Sequence, residues 1–220
     1  MADRWATFDC YGTLVDWNAG IRRELERVVG GDGERLLARY HELEPQVQAR
    51  EPALAYRQVM AKVLDEIAAE QGVALEEADR DALGRSLPSW PVFPEVPDAL
   101  RDARERGWQL AILSNSDPDL IAASIESIGV PFELAITASE IGSYKPEHRH
   151  WEAFFERTGA DRAGHVHVAQ SHFHDITPAS ELGLRSVWIN RLGEVGEPPP
   201  TVELTDLAPL GDTLDELVPA

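Results

Sequence analysis

Short apolar runs recur along the chain, and longer amphipathic stretches separate them. The runs that we predict to be β-strands are Trp5–Phe8, Gln109–Leu113, Leu134–Thr137, His165–Ala169 and Ser186–Ile189. Runs of this length between turn residues are typical of buried strands. A helical stretch precedes each strand after the first, which is the alternation that right-handed βαβ units of a parallel sheet require.

Residues 17–87 contain no such run and show helical periodicity instead. The clearest helix opens at Pro52 and ends at Gly72, with proline in the first turn and glycine after the last. Its apolar face repeats at spacings of three and four residues, at Tyr56, Val59, Met60, Val63, Leu64 and Ile67. Further helices are predicted at Ala19–Val29, Glu34–Leu43 and Leu75–Leu87.

Four prolines between residues 88 and 97 end the helical block and predict a stiff linker back to the strand-containing part. We therefore predict an α/β fold with a doubly wound, mostly parallel sheet of Rossmann-like topology. Residues 1–15 and 91–220 form the core domain of this prediction, and residues 16–90 form a helical domain inserted after the first strand.

The formal net charge of −19, without a basic cluster, argues against nucleic-acid binding. No apolar run approaches the ~20 residues that a membrane span needs, so no membrane partner is expected. The first strand begins too early to leave room for a signal peptide, and the single cysteine, Cys10, fits a reducing compartment. We therefore predict a cytoplasmic protein. Any site for an anion would need its own Arg or Lys against this negative background.

Four polar segments stand at predicted strand ends, where open α/β sheets place their chemistry. They are Asp9-Cys10-Tyr11-Gly12-Thr13, Ser114-Asn115-Ser116, Tyr144-Lys145-Pro146 and Gln170-Ser171-His172-Phe173-His174-Asp175. Asp9 is a candidate nucleophile, and Ser114 with the amides of the next helix is a candidate anion ligand. Lys145 can neutralise a substrate carboxylate or hold the nucleophile, and Asp175 can orient Lys145 or a water.

These segments, in this order, resemble the haloacid dehalogenase-like hydrolase superfamily and especially its 2-haloacid dehalogenase (type II) branch. The stretches that carry the resemblance are Phe8-Asp9-Cys10-Tyr11-Gly12-Thr13-Leu14-Val15-Asp16, Ala111-Ile112-Leu113-Ser114-Asn115, Tyr144-Lys145-Pro146 and Val187-Trp188-Ile189-Asn190-Arg191. The resemblance covers nearly the whole chain, and the helical insertion is similar to the cap domain of the branch.

The resemblance also bears on metal dependence. Phosphatases of the superfamily carry a second aspartate two residues after the nucleophile and bind Mg²⁺, whereas this chain has Tyr11 there. They also have an acidic residue where this chain has Gln170. With both carboxylates missing we expect no metal and no other cofactor. A halide leaves without a proton, so the absent acid fits carbon–halogen cleavage.

By resemblance, Asp9 attacks C2 of a 2-haloacid, and Arg39 of the cap receives the halide together with Asn115. The other catalytic residues of this prediction are Thr13, Lys145, Asp175, His172 and His174, the two histidines as hypothetical bases for the hydrolytic water. The other residues predicted to line the substrate and halide site are Ser114, Tyr11, Cys10, Trp151 and Ser171.

The predicted function is metal-independent hydrolytic dehalogenation of short 2-haloalkanoic acids through an ester on Asp9, which releases a halide. Two alternatives stay open: a phosphatase acting on a small phosphate ester, and a non-catalytic protein of the same fold that binds an organic acid.

Four histidines lie within residues 165–174, but no cysteines or paired carboxylates accompany them, so a metal site there is not expected. An apolar cap also makes a homodimer plausible.

Overall fold

The structure is a computed structural model that describes residues 3–51 and 54–220. The described residues form a six-stranded, fully parallel sheet in the order β3-β2-β1-β4-β5-β6. Its strands are β1 (Arg4–Phe8), β2 (Trp108–Ser114), β3 (Leu134–Thr137), β4 (His165–Ala169), β5 (Arg185–Ile189) and β6 (Val202–Leu204). The predicted α/β fold with a doubly wound parallel sheet is confirmed.

The strand order reverses at β1, which pairs with β2 on one side and with β4 on the other. In register, Phe8 at the end of β1 lies beside Ile112 of β2 and Val168 of β4. The residues that follow these three positions therefore meet at one edge of the sheet. Such a switch point is where doubly wound folds open a crevice for ligands.

Residues 16–91 form a compact unit of helices, and a second unit contains the sheet, running to Val15 and resuming at Val92. The helices of the first unit are α1 (Trp17–Val28), α2 (Gly33–Arg50), α3 (Tyr56–Glu70) and α4 (Ala82–Ser86). Asp16 caps α1 through the amide of Ala19. None of the helices in the described residues has the length and hydropathy that a membrane crossing requires.

Three helical predictions in this unit need adjustment. The predicted start at Pro52 lies outside the described residues. Helix α2 continues past Leu43 to Arg50, because the buried Val47 extends its apolar stripe by another turn. The single helix predicted over Leu75–Leu87 is wrong, since only its end is α-helical and residues 76–81 have no apolar face to bury.

The helices of the sheet-containing unit follow the strands. They are α5 (Val96–Glu105), α6 (Pro118–Ile128), α7 (Ala138–Ile141), α8 (Arg149–Thr158), α9 (Thr177–Glu181) and α10 (Leu210–Leu217). A core cluster joins Trp5 of β1 and Leu113 of β2 to Trp151 and Phe154 of α8. The predicted proline linker is shorter than expected because α5 already begins at Val96, with Pro97 in its first turn.

Candidate active site

Asp9 follows β1 directly and is held by three hydrogen bonds. Its backbone N–H donates to the carbonyl of Val168 at 3.1 Å. Thr13 Oγ1 donates to Oδ2 at 2.9 Å, and Lys145 Nζ donates to Oδ1 at 2.8 Å. The chain can turn back to place Thr13 there because Gly12 takes a φ of +90°, which favours glycine. The carboxylate of Asp9 is therefore fixed at both oxygens.

Lys145 is the centre of the site. Its buried ammonium donates to Asp9 Oδ1 at 2.8 Å, to Asp175 Oδ1 at 2.7 Å and to the carbonyl of Leu113 at 2.9 Å. These three acceptors use all of its hydrogens. Two carboxylates and one ammonium leave a formal charge of −1 on the group, so Asp9 is held without being fully neutralised.

Asp175 lies in a π-helical turn, His172–Ile176, that follows β4. Its Oδ1 accepts hydrogen bonds from Lys145 Nζ and, at 2.9 Å, from His167 Nε2. Its Oδ2 is buried and has no hydrogen-bond partner. A buried carboxylate oxygen without a hydrogen-bond donor is uncommon. Oδ2 of Asp175 is therefore available to accept a proton or a hydrogen bond from a water molecule.

Asp9, Asp175 and Lys145 shift one another's pKa values because their charges lie close together. Burial raises the pKa of Asp9, and the neighbouring Asp175 adds to this shift although Lys145 opposes it. Burial alone would raise the pKa of Asp175, but Lys145 and His167 hold that pKa below its usual range. Burial opposes the charge of Lys145, yet the two carboxylates raise the pKa of the ammonium above its usual value. Asp175 is thus the more firmly ionised carboxylate.

Asn115 positions Lys145 through the backbone. Its Nδ2 donates to the carbonyl of Lys145 at 2.9 Å, and its Oδ1 accepts the N–H of Lys145 at 2.6 Å. One amide hydrogen of Asn115 remains for a ligand, so halide binding stays a prediction. Ser114 is the last residue of β2, and its carbonyl accepts a hydrogen bond from His150 Nε2 at 3.1 Å.

Arg39 lies on α2 and is engaged by carboxylates of the helical unit. Its Nε and Nη2 bind Glu70, and its Nη1 binds Glu42 at 2.6 Å. The predicted halide-binding cation is therefore already paired within that unit. Its role toward a halide stays a prediction, which we develop below.

The prediction that His172 activates water is not supported. Its Nε2 donates to the carbonyl of Pro198 at 2.9 Å, and its ring packs edge-on against Trp188. These contacts tie the π-helical turn to the loop after β5. His174 is bound through Nδ1 to Ser171 Oγ at 3.0 Å, and burial lowers its pKa. Ser171 also accepts the N–H of His174, so its side chain caps the turn.

Two predicted site-lining residues are core residues instead. Trp151 is fully buried in the cluster around α8 and packs edge-on against His167 at 5.1 Å. Cys10 has no exposed surface, and burial raises the pKa of its thiol. Neither side chain has free surface for a substrate, because both point into the packed interior.

A magnesium site of the phosphatase type does not fit these residues. Tyr11 places its hydroxyl 3.1 Å from Ser124 Oγ of α6, and burial raises its pKa well above the usual value. The side chain of Gln170 is an amide, with Nε2 3.4 Å from Glu194. In residues 3–51 and 54–220, no three His, Cys, Asp or Glu side chains form a group that could hold a metal ion.

Thr7 contributes to this region although nothing in the sequence pattern indicates it, and the pattern predicts only a shared strand face for His165 and His167. In the structure, Thr7 Oγ1 lies 2.8 Å from His167 Nδ1 and 2.9 Å from His165 Nε2. The alternation of His165 and His167 signals a shared face, but their partner across the sheet follows only from strand pairing.

Comparison with known proteins agrees with this geometry. The family model of the haloacid dehalogenase-like hydrolases matches residues 4–181. The (S)-2-haloacid dehalogenase of Pseudomonas sp. (strain YL) is 30% identical over 196 residues, which cover 86% of this chain and 84% of that protein. A crystal structure of an L-2-haloacid dehalogenase superposes with a TM-score of 0.86 at 23% identity, covering 98% of this chain and all of the other.

A second solved structure is the L-2-haloacid dehalogenase of Xanthobacter autotrophicus with chloropropionic acid covalently bound. It has a TM-score of 0.84 at 18% identity and covers 96% of this chain and 98% of that one. At these identities the solved structures establish the fold, whereas the match to the family model spans most of the chain. The chain belongs to the haloacid dehalogenase-like hydrolase family.

Proposed function

We propose that this protein hydrolyses short 2-haloalkanoic acids to 2-hydroxy acids and halide through a covalent ester on Asp9. The observation that carries the proposal is a buried carboxylate fixed at both oxygens, with Tyr11 and Gln170 where a phosphatase has acidic residues. The similarity of this chain to (S)-2-haloacid dehalogenases supports the same class of substrate.

In the first half-reaction a carboxylate oxygen of Asp9 forms a bond to C2 as the carbon–halogen bond breaks. The halide leaves with the bonding electron pair, so no group has to donate a proton. Thr13 and Lys145 hold the attacking group in one orientation, which lowers the entropic part of the barrier.

In the second half-reaction water attacks the carbonyl carbon of the Asp9 ester. Asp175 Oδ2 accepts a proton from that water, since it is the buried carboxylate oxygen without a donor. The bond from the carbonyl carbon to the alkyl oxygen then breaks, and Asp175 returns its proton to that oxygen, which becomes the hydroxyl of the product. The carboxyl group formed on Asp9 loses the remaining proton of the water to solvent. Asp9 is regenerated with one oxygen from water.

The ester is tested by one turnover with excess enzyme in ¹⁸O-labelled water, using 2-chloropropionate. We expect the label in Asp9 and not in the released 2-hydroxy acid.

In Asp175→Asn the ester should accumulate, because the rate of its hydrolysis falls by about 10²–10⁴-fold when the base is removed. Intact mass after acid quench measures the ester, and the exposed Asp98→Asn serves as the matched control.

Further assays separate the dehalogenase from the two alternative functions. Label that appears first in the acid product would contradict the ester. Magnesium-dependent turnover of p-nitrophenyl phosphate that EDTA abolishes, without halide release, would replace the dehalogenase by a phosphatase. Binding of organic acids without any turnover would indicate a non-catalytic protein.

We further propose that Arg39 receives the departing halide, as the resemblance implies. All three hydrogens of Lys145 are already used, so the anion needs another cation. We expect Arg39→Gln to lower kcat/KM for 2-chloropropionate by about 100-fold or more, because charge develops on the halide in the transition state.

Arg50→Gln is the matched control, since Arg50 pairs with Glu66 in the same way that Arg39 pairs with Glu70, from α2 to α3. Equal and small effects of the two substitutions would show that Arg39 is only a surface ion pair.

For location we propose the cytoplasm, on the basis of a single cysteine that is buried in the structure.

A further inference from the structure

A line of four buried polar side chains leads away from the reacting groups into the sheet. His167 Nε2 lies 2.9 Å from Asp175 Oδ1, and Thr7 Oγ1 lies 2.8 Å from His167 Nδ1. His165 Nε2 lies 2.9 Å from the same Thr7 oxygen. All four side chains are fully buried. Because burying polar groups is costly, such a row calls for an explanation.

Strand pairing creates this row. Thr7 of β1 and His167 of β4 are register partners, and His165 lies two residues earlier on the same face of β4. The π-helical turn after β4 then brings Asp175 back over His167. The row thus joins the two central strands to the base of the second half-reaction.

The proton positions along the row follow from the partners. A carboxylate only accepts, so His167 Nε2 carries a hydrogen and donates it to Asp175. Burial lowers the pKa of His165 to about 3, so this ring is neutral, and its Nδ1 is buried without a partner. A buried ring N–H without an acceptor is costly, so the hydrogen of His165 lies on Nε2, where it donates to Thr7. The hydroxyl of Thr7 then donates to His167 Nδ1, and every hydrogen bond has one direction.

Aromatic rings close the row off from solvent. Trp151 packs edge-on against His167 at 5.1 Å, and Phe154 and Phe155 each lie 5.1 Å from the ring of His165. Because the His165 end of the row is buried, the row cannot pass a proton from Asp175 through the sheet to bulk solvent. It can hold a geometry, because each ring has one tautomer and one orientation that satisfy its partners.

We propose that His167 is a positioning residue that holds Asp175 Oδ1, with Thr7 and His165 fixing its tautomer, so that Asp175 presents Oδ2 to the hydrolytic water. This inference rests on the proposed function. Both donors of Asp175, His167 and Lys145, bind the same oxygen, which leaves Oδ2 free. Without His167 the carboxylate can turn and offer either oxygen to Lys145.

The inference predicts different effects on the two half-reactions. In the structure, the carboxylate of Asp9 accepts hydrogen bonds from Thr13 and Lys145, and its backbone N–H donates to Val168, so loss of His167 should spare ester formation. We expect His167→Leu to release one halide per enzyme at a rate within about threefold of wild type, and to hydrolyse the ester about 100-fold more slowly. His167→Gln should recover most of the hydrolysis rate, since its amide can still donate to Asp175.

The experiment follows halide release and the Asp9 ester by rapid quench and intact mass, with wild type, His167→Leu and His167→Gln in parallel. Thermal unfolding verifies that each variant is folded. Equal loss of both half-reactions without recovery in the Gln variant would overturn the inference, and so would wild-type hydrolysis in the Leu variant.

A second measurement does not depend on turnover. ¹⁵N-histidine NMR of the wild type should show His165 and His167 neutral and protonated on Nε2, and Thr7→Val should remove this preference at His167 while Thr7→Ser keeps it. A His167 protonated on Nδ1 in the wild type would contradict the inference. If the wild type released no halide from any haloacid, the proposed function would fail, while these tautomers would still decide the positioning.

Discussion

Asp9→Asn is expected to reduce halide release from 2-chloropropionate by at least about 10⁴-fold, because an amide cannot form the ester through which the halide is displaced. The folded structure should persist. Lys145 keeps its bond to Asp175 at 2.7 Å, and Thr13 keeps its bond from the N–H of Gln170.

The same substitution should increase the free energy of unfolding at neutral pH. Burial raises the pKa of Asp9 in the folded protein above the ordinary value of 3.8, so the ionised side chain costs stability. Protonation of Asp9 therefore stabilises the folded protein. This stabilisation is fully present below pH 3.8, and it is lost as the pH rises through the pKa that Asp9 has in the folded state. At pH 7 the wild type bears this cost and the Asn variant does not.

Halide release and thermal unfolding at pH 7 measure the two effects, with Asp98→Asn as the control. Retention of more than about a hundredth of the activity would contradict Asp9 as the nucleophile. A marked fall in the unfolding temperature would instead show that the charge of Asp9 stabilises the fold. The raised pKa also places the acidic limb of the halide-release rate above the pKa of a free aspartate, because only the carboxylate attacks.

Lys145→Met is expected to lower the free energy of unfolding by about 3–5 kcal/mol and to abolish turnover. The methionine fills a similar volume but leaves Asp9 and Asp175 buried next to each other without their shared cation. The cost of an unpaired buried charge exceeds what the ion pair itself contributes. Protonation relieves the repulsion, so the deficit should shrink at acidic pH.

Urea unfolding at pH 7 and at lower pH measures this loss. Lys62→Met is the matched control, because Lys62 binds Glu51 at 2.7 Å with both side chains more than two-fifths exposed. We expect its effect to stay below about 1 kcal/mol. Similar losses for the two lysines would show that burial does not amplify the Lys145 pairs.

Much of the fold was predictable because its signals are local. The predicted strands from Trp5–Phe8 to Ser186–Ile189 agree with the structure within one residue at each end, since short buried runs between turn residues have few alternatives. The sequence predicts a helix across Glu76–Asp81 because the helical signal on either side is strong, whereas this polar segment has no apolar face to bury.

The site was predictable where the argument depended only on topology. Asp9, Lys145 and Asp175 were expected together because parallel strands end at one edge of the sheet, and Lys145 Nζ lies within 2.8 Å of both carboxylates. Trp151, Cys10 and His172 were predicted at the site from their positions relative to the motifs that the chain shares with the family. Packing sends the first two side chains into the interior and ties the third to Pro198.

Three features therefore follow from the amino-acid sequence alone: the fold class, the order of the polar segments, and uncharged residues, Tyr11 and Gln170, at two positions where the phosphatases have carboxylates. These depend on residue type and on patterns within a few positions. Two contacts follow only from the three-dimensional arrangement of the chain. Lys145 is shared between Asp9 and Asp175, and His167 binds Oδ1 of Asp175 while it also contacts Thr7. Thr7 and His167 are 160 residues apart, and only the register between β1 and β4 brings them into contact.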